Sequence, residues 1–242
     1  TAAMAGLEQL KKHGLQKRIN FCTTIMQQNL TDLPNILTLA RDSGISFVRF
    51  LPLRKKGNAR ANWDEIHSGV TTKDYERFFA YILRDAIYQY SDIDIRCGLT
   101  GYILDSRKLM NDRCWCPIGT NMVVDTMGNI YPCSLFMEDQ FKLGNVKDTK
   151  IEDIQANSLL NELVMARSTR KTTIERCRSC MWRNFCQSSC MGVALEQHGT
   201  IWETDEFCTF RITLYEQSVI KLAEGKISHG QLTVTDTPPE CY

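Results

Sequence analysis

Apolar positions along the first hundred residues alternate between two periods. Met4, Leu7 and Leu10 recur at three-residue steps and predict a helix ended near Gly14. Arg18–Ile25 (RINFCTTI) reads as a buried strand. Leu33, Ile36, Leu37 and Ala40 then mark a helix face, with Thr31 or Asp32 as cap, Pro34 in the first turn and Gly44 closing it. Ile45–Leu51 (ISFVRFL) is a second strand. Tyr75, Phe78, Phe79, Ile82 and Ala86 mark a long amphipathic helix, and Ile93–Leu99 is a third strand. Strands alternating with helix-length segments imply parallel pairing through crossover helices. Three parallel strands leave faces and edges uncovered, so this stretch reads as part of a larger sheet or barrel.

The pattern changes near Asn111. Met122–Val124 and Ile130–Tyr131 flank the turn Asp125–Asn129 and predict a hairpin. Ile151–Ala166 and Thr209–Ala223 read as helices. Residues 174–208 hold few aliphatic side chains, so ligands rather than a core are expected to organise them. The tail after Gly225 is expected to be loosely held. The expected organisation is therefore an α/β part over 1–110, an α+β part over 111–225, and a tail over 226–242.

Charge adds little. A net charge of +1 and a longest basic cluster of Arg54–Lys55–Lys56 give no basis for nucleic acid or an anionic membrane. Cysteine changes the picture. The chain has 242 residues and eleven cysteines, an odd number, which argues for ligation in a reducing cytoplasm rather than a disulfide framework. Two groups stand out: Cys116-x11-Gly128-x4-Cys133, and Cys177-x2-Cys180-x5-Cys186-x3-Cys190 followed after seventeen residues by Cys208. A C-x2-C turn brings two thiolates to one side of a metal or cluster. Cys186 and Cys190 are spaced for one face of a helical turn. Spacing alone leaves zinc and iron–sulfur both open. Cys22, in an apolar strand, is expected to be a buried small hydrophobe.

The ordered cysteine pattern resembles the SPASM domain of radical S-adenosylmethionine (SAM) peptide maturases. DTMGNIYPC (Asp125–Cys133) and KLGNV (Lys142–Val146) resemble that family's hairpin and the turn after it. FCTTIMQQN (Phe21–Asn29) and FVRFLPLRKKG (Phe47–Gly57) are similar to the fourth and fifth strands of the radical SAM partial (β/α) barrel. The resemblance implies the C-terminal half of that barrel followed by a SPASM domain with a β-hairpin and helices. It implies one auxiliary [4Fe–4S] cluster on Cys177, Cys180, Cys186 and Cys208, and a second on Cys116, Cys133 and Cys190. Cys114 is the first candidate for the missing ligand, although Cys114-x-Cys116 is cramped. Cys97 is the second, and a position open to a substrate thiol or peptide is the third. Lost clusters would leave zinc or disulfides. Thr23, Thr24, Asn29 and Arg49 would line the SAM or substrate side, or serve as ordinary strand-end polar residues. Trp182, Phe185, Trp202 and Phe207 would shield the clusters.

The same resemblance implies an oxidoreductase of the maturase type, like those of coenzyme PQQ synthesis. Such an enzyme cleaves SAM reductively on a third [4Fe–4S] cluster and abstracts hydrogen from a peptide or protein. Its electrons would come from a flavodoxin or ferredoxin. Two departures matter. No C-x3-C-x2-C triplet, which would hold the SAM-cleaving cluster, occurs in these 242 residues. The chain is therefore expected to be a C-terminal portion, inactive alone. In anaerobic sulfatase maturases an aspartate base follows the hairpin cysteine. Here that residue is Ser134, a poor base, so formylglycine formation is not expected. The competing readings are a non-catalytic cysteine-rich module gripping a protein partner, and an electron-transfer domain.

Overall fold

The structure is a computed structural model that describes residues 2–66, 69–97 and 116–225. Two compact units make it up: described residues up to Cys97 together with those from Thr213 onward, and those from Cys116 to Ile212. Among the described residues, no helix is long and apolar enough to cross a membrane.

In the first unit, strands β1 (Phe21–Ile25), β2 (Phe47–Pro52) and β3 (Asp94–Cys97) form a parallel sheet in that order. The helix Leu33–Asp42 connects β1 to β2, with Pro34 in its first turn and Leu33, Leu37 and Ala40 buried. The connection from β2 to β3 includes the helix Thr72–Tyr81. Its start is fixed by Asp74, whose carboxylate accepts the N–H and hydroxyl of Thr71 at 2.8 and 2.7 Å. The helix runs on through a wide five-residue π turn at Ile82–Ala86.

The pleat sorts β2 into two faces: Val48, Phe50 and Pro52 are buried, while Phe47, Arg49 and Leu51 are half-buried. Phe50 meets Phe78 of the crossover helix edge-to-face at 4.8 Å, so the buried face is the helix-covered one. Register puts Cys22 beside Arg49 and Thr24 beside Leu51 on the other face. Cys22 is consequently exposed, not a core residue as its apolar neighbours suggested.

In the second unit, β4 (Val123–Val124), β5 (Asn129–Tyr131) and β6 (Gly144–Asn145) form an antiparallel sheet. Asp125 organises the hairpin: Oδ1 accepts the N–H groups of Met127 and Asn129, each at 2.8 Å, and Gly128 takes φ +86°. The KLGNV stretch supplies a third strand, where the sequence suggested only a turn. The helix expected at Ile151–Ala166 is two helices, Ile151–Gln155 and Ser158–Thr173. Asn157 divides them and accepts the N–H of Leu160 with its side chain at 3.3 Å. Against the sheet they bury Ile118, Ile130, Phe136, Leu143, Leu160 and Leu163, each worth roughly 1.5–3 kcal/mol when fully removed from water. Cys133 belongs to this core and Cys116 packs against it.

Candidate metal centre

The cysteine-rich run is a string of short elements. Cys177 sits in the turn of helix Glu175–Arg178, and the Cys180 N–H bonds back to the Cys177 carbonyl at 3.1 Å, the tight turn that C-x2-C calls for. Cys186 ends the helix Arg183–Cys186, and Cys190 caps the helix Met191–His198. Between them Gln187, Ser188 and Ser189 take φ +54°, +66° and +67° in succession. Cys186 and Cys190 therefore do not share a helical turn, as their spacing suggested. Left-handed backbone costs about 1–2 kcal/mol at each non-glycine residue.

Specific bonds hold this turn. Arg170 is 1% exposed and donates from Nη1 to the Ser189 carbonyl at 2.9 Å, from Nε to Ile201 O at 2.5 Å and from Nη2 to Glu203 O at 2.7 Å. The Asp205 N–H donates to Ser189 Oγ at 3.1 Å, and Gln187 Nε2 to Asn184 O at 2.6 Å. Ser188 is buried, its hydroxyl has no nitrogen or oxygen partner, and it lies against the Cys177 thiol.

Cys177 and Cys208 are both shifted by their surroundings. Burial pushes Cys177 up most; Ser188 opposes this, Cys186 and Cys208 add to it, and Arg170 opposes it. Burial also pushes Cys208 up, opposed by Arg176, Thr204 and Arg211, with Cys186 adding. Arg211 points Nη1 at Cys186 Sγ at 3.9 Å, while its Nη2 grips both oxygens of buried Asp205 at 2.7 and 2.6 Å. Burial outweighs the guanidinium groups at Cys177 and Cys208, and the positive charges offset part of what it costs to hold anionic sulfur there.

Cys133 lies in the hydrophobic core of the same unit and Cys116 packs against it. Arg167 Nη1 donates to Cys116 O at 3.4 Å and to Ile118 O at 2.6 Å. Cys190 immediately precedes core residue Met191. Gly192 lies so close to Leu135, two residues past Cys133, that a Cβ would overlap the Leu135 Cβ. Cys114 and the 226–242 tail lie outside the described residues, as does the Cys97 side chain. The cysteines at 22, 116, 133, 177, 180, 186, 190 and 208 are free thiols. Among the described residues, no three Cys, His, Asp or Glu side chains form a group able to hold a single metal ion.

Trp182 and Phe185 stack edge-to-face at 5.6 Å, and Phe207 is buried beside the Asp205–Cys208 turn. Trp202 is 42% exposed and stands apart from that shielding role. In the first unit, Asn29 uses both ends of its amide locally: Oδ1 accepts Met26 N–H at 2.9 Å and Nδ2 donates to Thr24 O at 2.8 Å. Thr23 and Thr24 alternate in the pleat, so Thr24 and Arg49 share the open face and Thr23 belongs to the helix-covered one. Arg49 lies 5.7 Å from the Phe47 ring centre.

Sequence reasoning missed Arg170, Asp205, Arg211 and Ser188. Arg170 had a signal: it continues the stripe Leu160, Leu163, Ala166 at helical spacing, where a charged residue is out of place unless partnered.

Residues 114–181 match the SPASM family, an iron–sulfur cluster-binding domain. The described part of that match, 116–181, lies in the second unit. The cysteine-type anaerobic sulfatase-maturating enzyme of Clostridium perfringens (strain 13 / Type A) is 25% identical over 113 residues, covering 47% of this chain and 29% of the relative. Pre-heme d1 synthase of Dinoroseobacter shibae is 24% identical over 228 residues, covering 85% and 54%. The solved structure of native anSMEcpe with bound AdoMet and Kp18Cys peptide has a TM-score of 0.67 at 18% identity, covering 91% of this chain and 60% of that one. The chain thus spans less than two thirds of the length of these relatives. A parallel β/α part followed by the SPASM-matched stretch is the fold this chain shares with that solved structure.

Proposed function

We propose that this chain is part of a radical SAM enzyme that modifies a peptide or protein, and that its SPASM domain holds two auxiliary [4Fe–4S] clusters. The observation carrying the proposal is the neighbourhood of Cys177, Cys186 and Cys208 faced by arginines, which begins inside the stretch matched to SPASM, at Cys177, and continues beyond its end at residue 181. Cys180, one tight turn from Cys177, is the fourth thiol of that site. Cys133, in the core of that unit, Cys116, packed against it, and Cys190, next to core residue Met191, are three thiols of the other, with Cys114 the first candidate for its remaining ligand.

When bound, such clusters supply one-electron transfer. The chain's own residues do the rest. Arg170 and Arg211 offset negative charge gathered on the sulfurs, Ser188 offers its hydroxyl to Cys177, and buried Phe207 and Trp182 exclude water. A peptide is the preferred substrate class because a solved relative is named with a peptide bound. Ser134 argues against sulfatase-type formylglycine chemistry, since a neutral hydroxyl is a poor base. A flavodoxin or ferredoxin is the proposed electron donor, the reducing cytoplasm the proposed compartment, and 111–225 the proposed SPASM extent.

Anaerobic reconstitution with iron and sulfide tests this. Iron and acid-labile sulfide approaching two clusters per chain, with the absorbance of [4Fe–4S], are expected. Zinc without sulfide in anaerobically purified protein would replace the proposal with a structural zinc module. With SAM and a strong reductant, this chain alone is expected to yield no 5′-deoxyadenosine, because it has no C-x3-C-x2-C triplet.

A further inference from the structure

We infer that Arg211, aimed by Asp205, is a positioning residue that raises the reduction potential of the cluster at Cys177, Cys180, Cys186 and Cys208. The inference rests on the cluster reading above and adds to it a named electrostatic device.

Arg211 lies one helical turn beyond Cys208 and is buried. Its Nη2 is clamped by both carboxylate oxygens of Asp205, itself 3% exposed. Asp205 is fixed in turn: its Oδ1 accepts the Phe207 N–H at 3.1 Å, and its carbonyl accepts the Cys208 N–H at 3.1 Å. The clamp leaves Nη1 facing Cys186 Sγ at 3.9 Å. The ion pair is thus a dipole with its positive end on a ligand sulfur.

Adding one electron to the bound cluster, supplied by dithionite in the experiment below, adds one negative charge among the four thiolates. A nearby guanidinium stabilises the reduced state more than the oxidised one, and the potential rises. The carboxylate beyond it works in the opposite direction, weakened by its greater distance. Arg170 also opposes the upward shift of Cys177, but its Nε, Nη1 and Nη2 each donate to a carbonyl, of Ile201, Ser189 and Glu203, whereas Arg211 points Nη1 at a sulfur. Arg176 also faces Cys208, but its bond to Thr209 Oγ1 at 2.7 Å is exposed, where solvent screens its charge.

The test is an EPR-monitored redox titration of the reconstituted chain, with Cys180→Ser identifying this cluster's signal by its loss. Arg211→Gln is expected to lower the potential enough for a tenfold or larger fall in the reduced-to-oxidised ratio at fixed applied potential, about 59 mV for one electron. Asp205→Asn, which keeps the guanidinium but removes its counter-charge, is expected to raise it. Arg211→Lys should lie near the parent, and Arg176→Gln should lower the potential by less than Arg211→Gln does. Opposite shifts from the two partners support the inference, because generic loosening of the site would not produce them. Unmoved potentials, or shifts of one sign, overturn it while leaving the cluster reading intact. If Arg211→Gln loses the cluster, Asp205→Asn still decides by its sign. A parent chain that takes up no cluster overturns both.

Discussion

Arg170 donates from Nη1 to the carbonyl of Ser189 at 2.9 Å, tying the long helix Ser158–Thr173 to the last of three left-handed residues between Cys186 and Cys190. The same guanidinium holds Ile201 O and Glu203 O, so one side chain links both flanks of the helix Met191–His198. The strained turn aims Cys186 and Cys190 in ways a continuous helix could not, and Arg170 supplies the bonds that keep it.

Replacing Arg170 by Met should therefore destabilise the second unit by about 3–5 kcal/mol, because buried carbonyls lose their donors at roughly 1–3 kcal/mol each. Chemical denaturation of the cluster-free protein measures this. Hydrogen exchange should rise first across residues 187–205. A loss under 1 kcal/mol, with unchanged exchange there, would show that the turn is held by other means.

Gly192 offers a second mechanical test. An alanine Cβ there would run into Leu135, and that contact joins the helix after Cys190 to the turn after Cys133. Gly192→Ala should cost about 1–3 kcal/mol as overpacking. It should also reduce iron retention at the Cys116, Cys133 and Cys190 site more than at the other. Equal retention at both would separate this packing from cluster binding.

Much of this was legible in the sequence, and the reason lies in period and spacing. The parallel strands follow from a period of two broken by helix-length insertions, and the hairpin from Asp125 and Gly128 between apolar pairs. The faces of β1 were not legible: Thr23 and Thr24 looked equivalent until register with Phe50 and Leu51 separated them. The break at Asn157 was hidden because apolar residues continue on both sides of it. The left-handed turn was hidden because Gln-Ser-Ser has no glycine to announce positive φ. Arg170 and the Asp205–Arg211 pair were hidden because buried charge is decided by partners distant in sequence.

Asp125 sets an acid limit on the hairpin. The Asn129 side chain first, with the N–H groups of Asn129 and Met127 also contributing, holds its carboxyl below the usual carboxylate range. A lowered folded-state pKa gives stability that is present above the unfolded value, near 3.9, and lost as pH falls through the folded one. Asp125→Asn should flatten the stability profile below about pH 4 while leaving its shape at higher pH. Urea midpoints across that range test this; a variant that keeps the parent's acid slope would assign it to other carboxylates.

The division of the cysteines between two sites gives the last prediction. Cys186 and Cys208 add to the upward shift of Cys177, and Cys186 to that of Cys208, whereas Cys133 belongs to an apolar core that Cys116 packs against and that Met191, next to Cys190, joins. Serine has the shape of cysteine but is a far weaker ligand for iron, so each replacement should empty one site and spare the other. Cys177→Ser and Cys208→Ser should each remove about half of the reconstituted iron and sulfide, and the double variant no more than either alone. Cys133→Ser should remove the other half, and Cys133→Ser with Cys208→Ser nearly all. Cys190 is the informative position, because the left-handed turn places it beyond Cys186 on a different element. Combined with Cys208→Ser it should behave as Cys133→Ser does. If Cys190→Ser with Cys208→Ser instead loses only half the iron, Cys190 belongs with Cys177, and the proposed ligand sets are wrong.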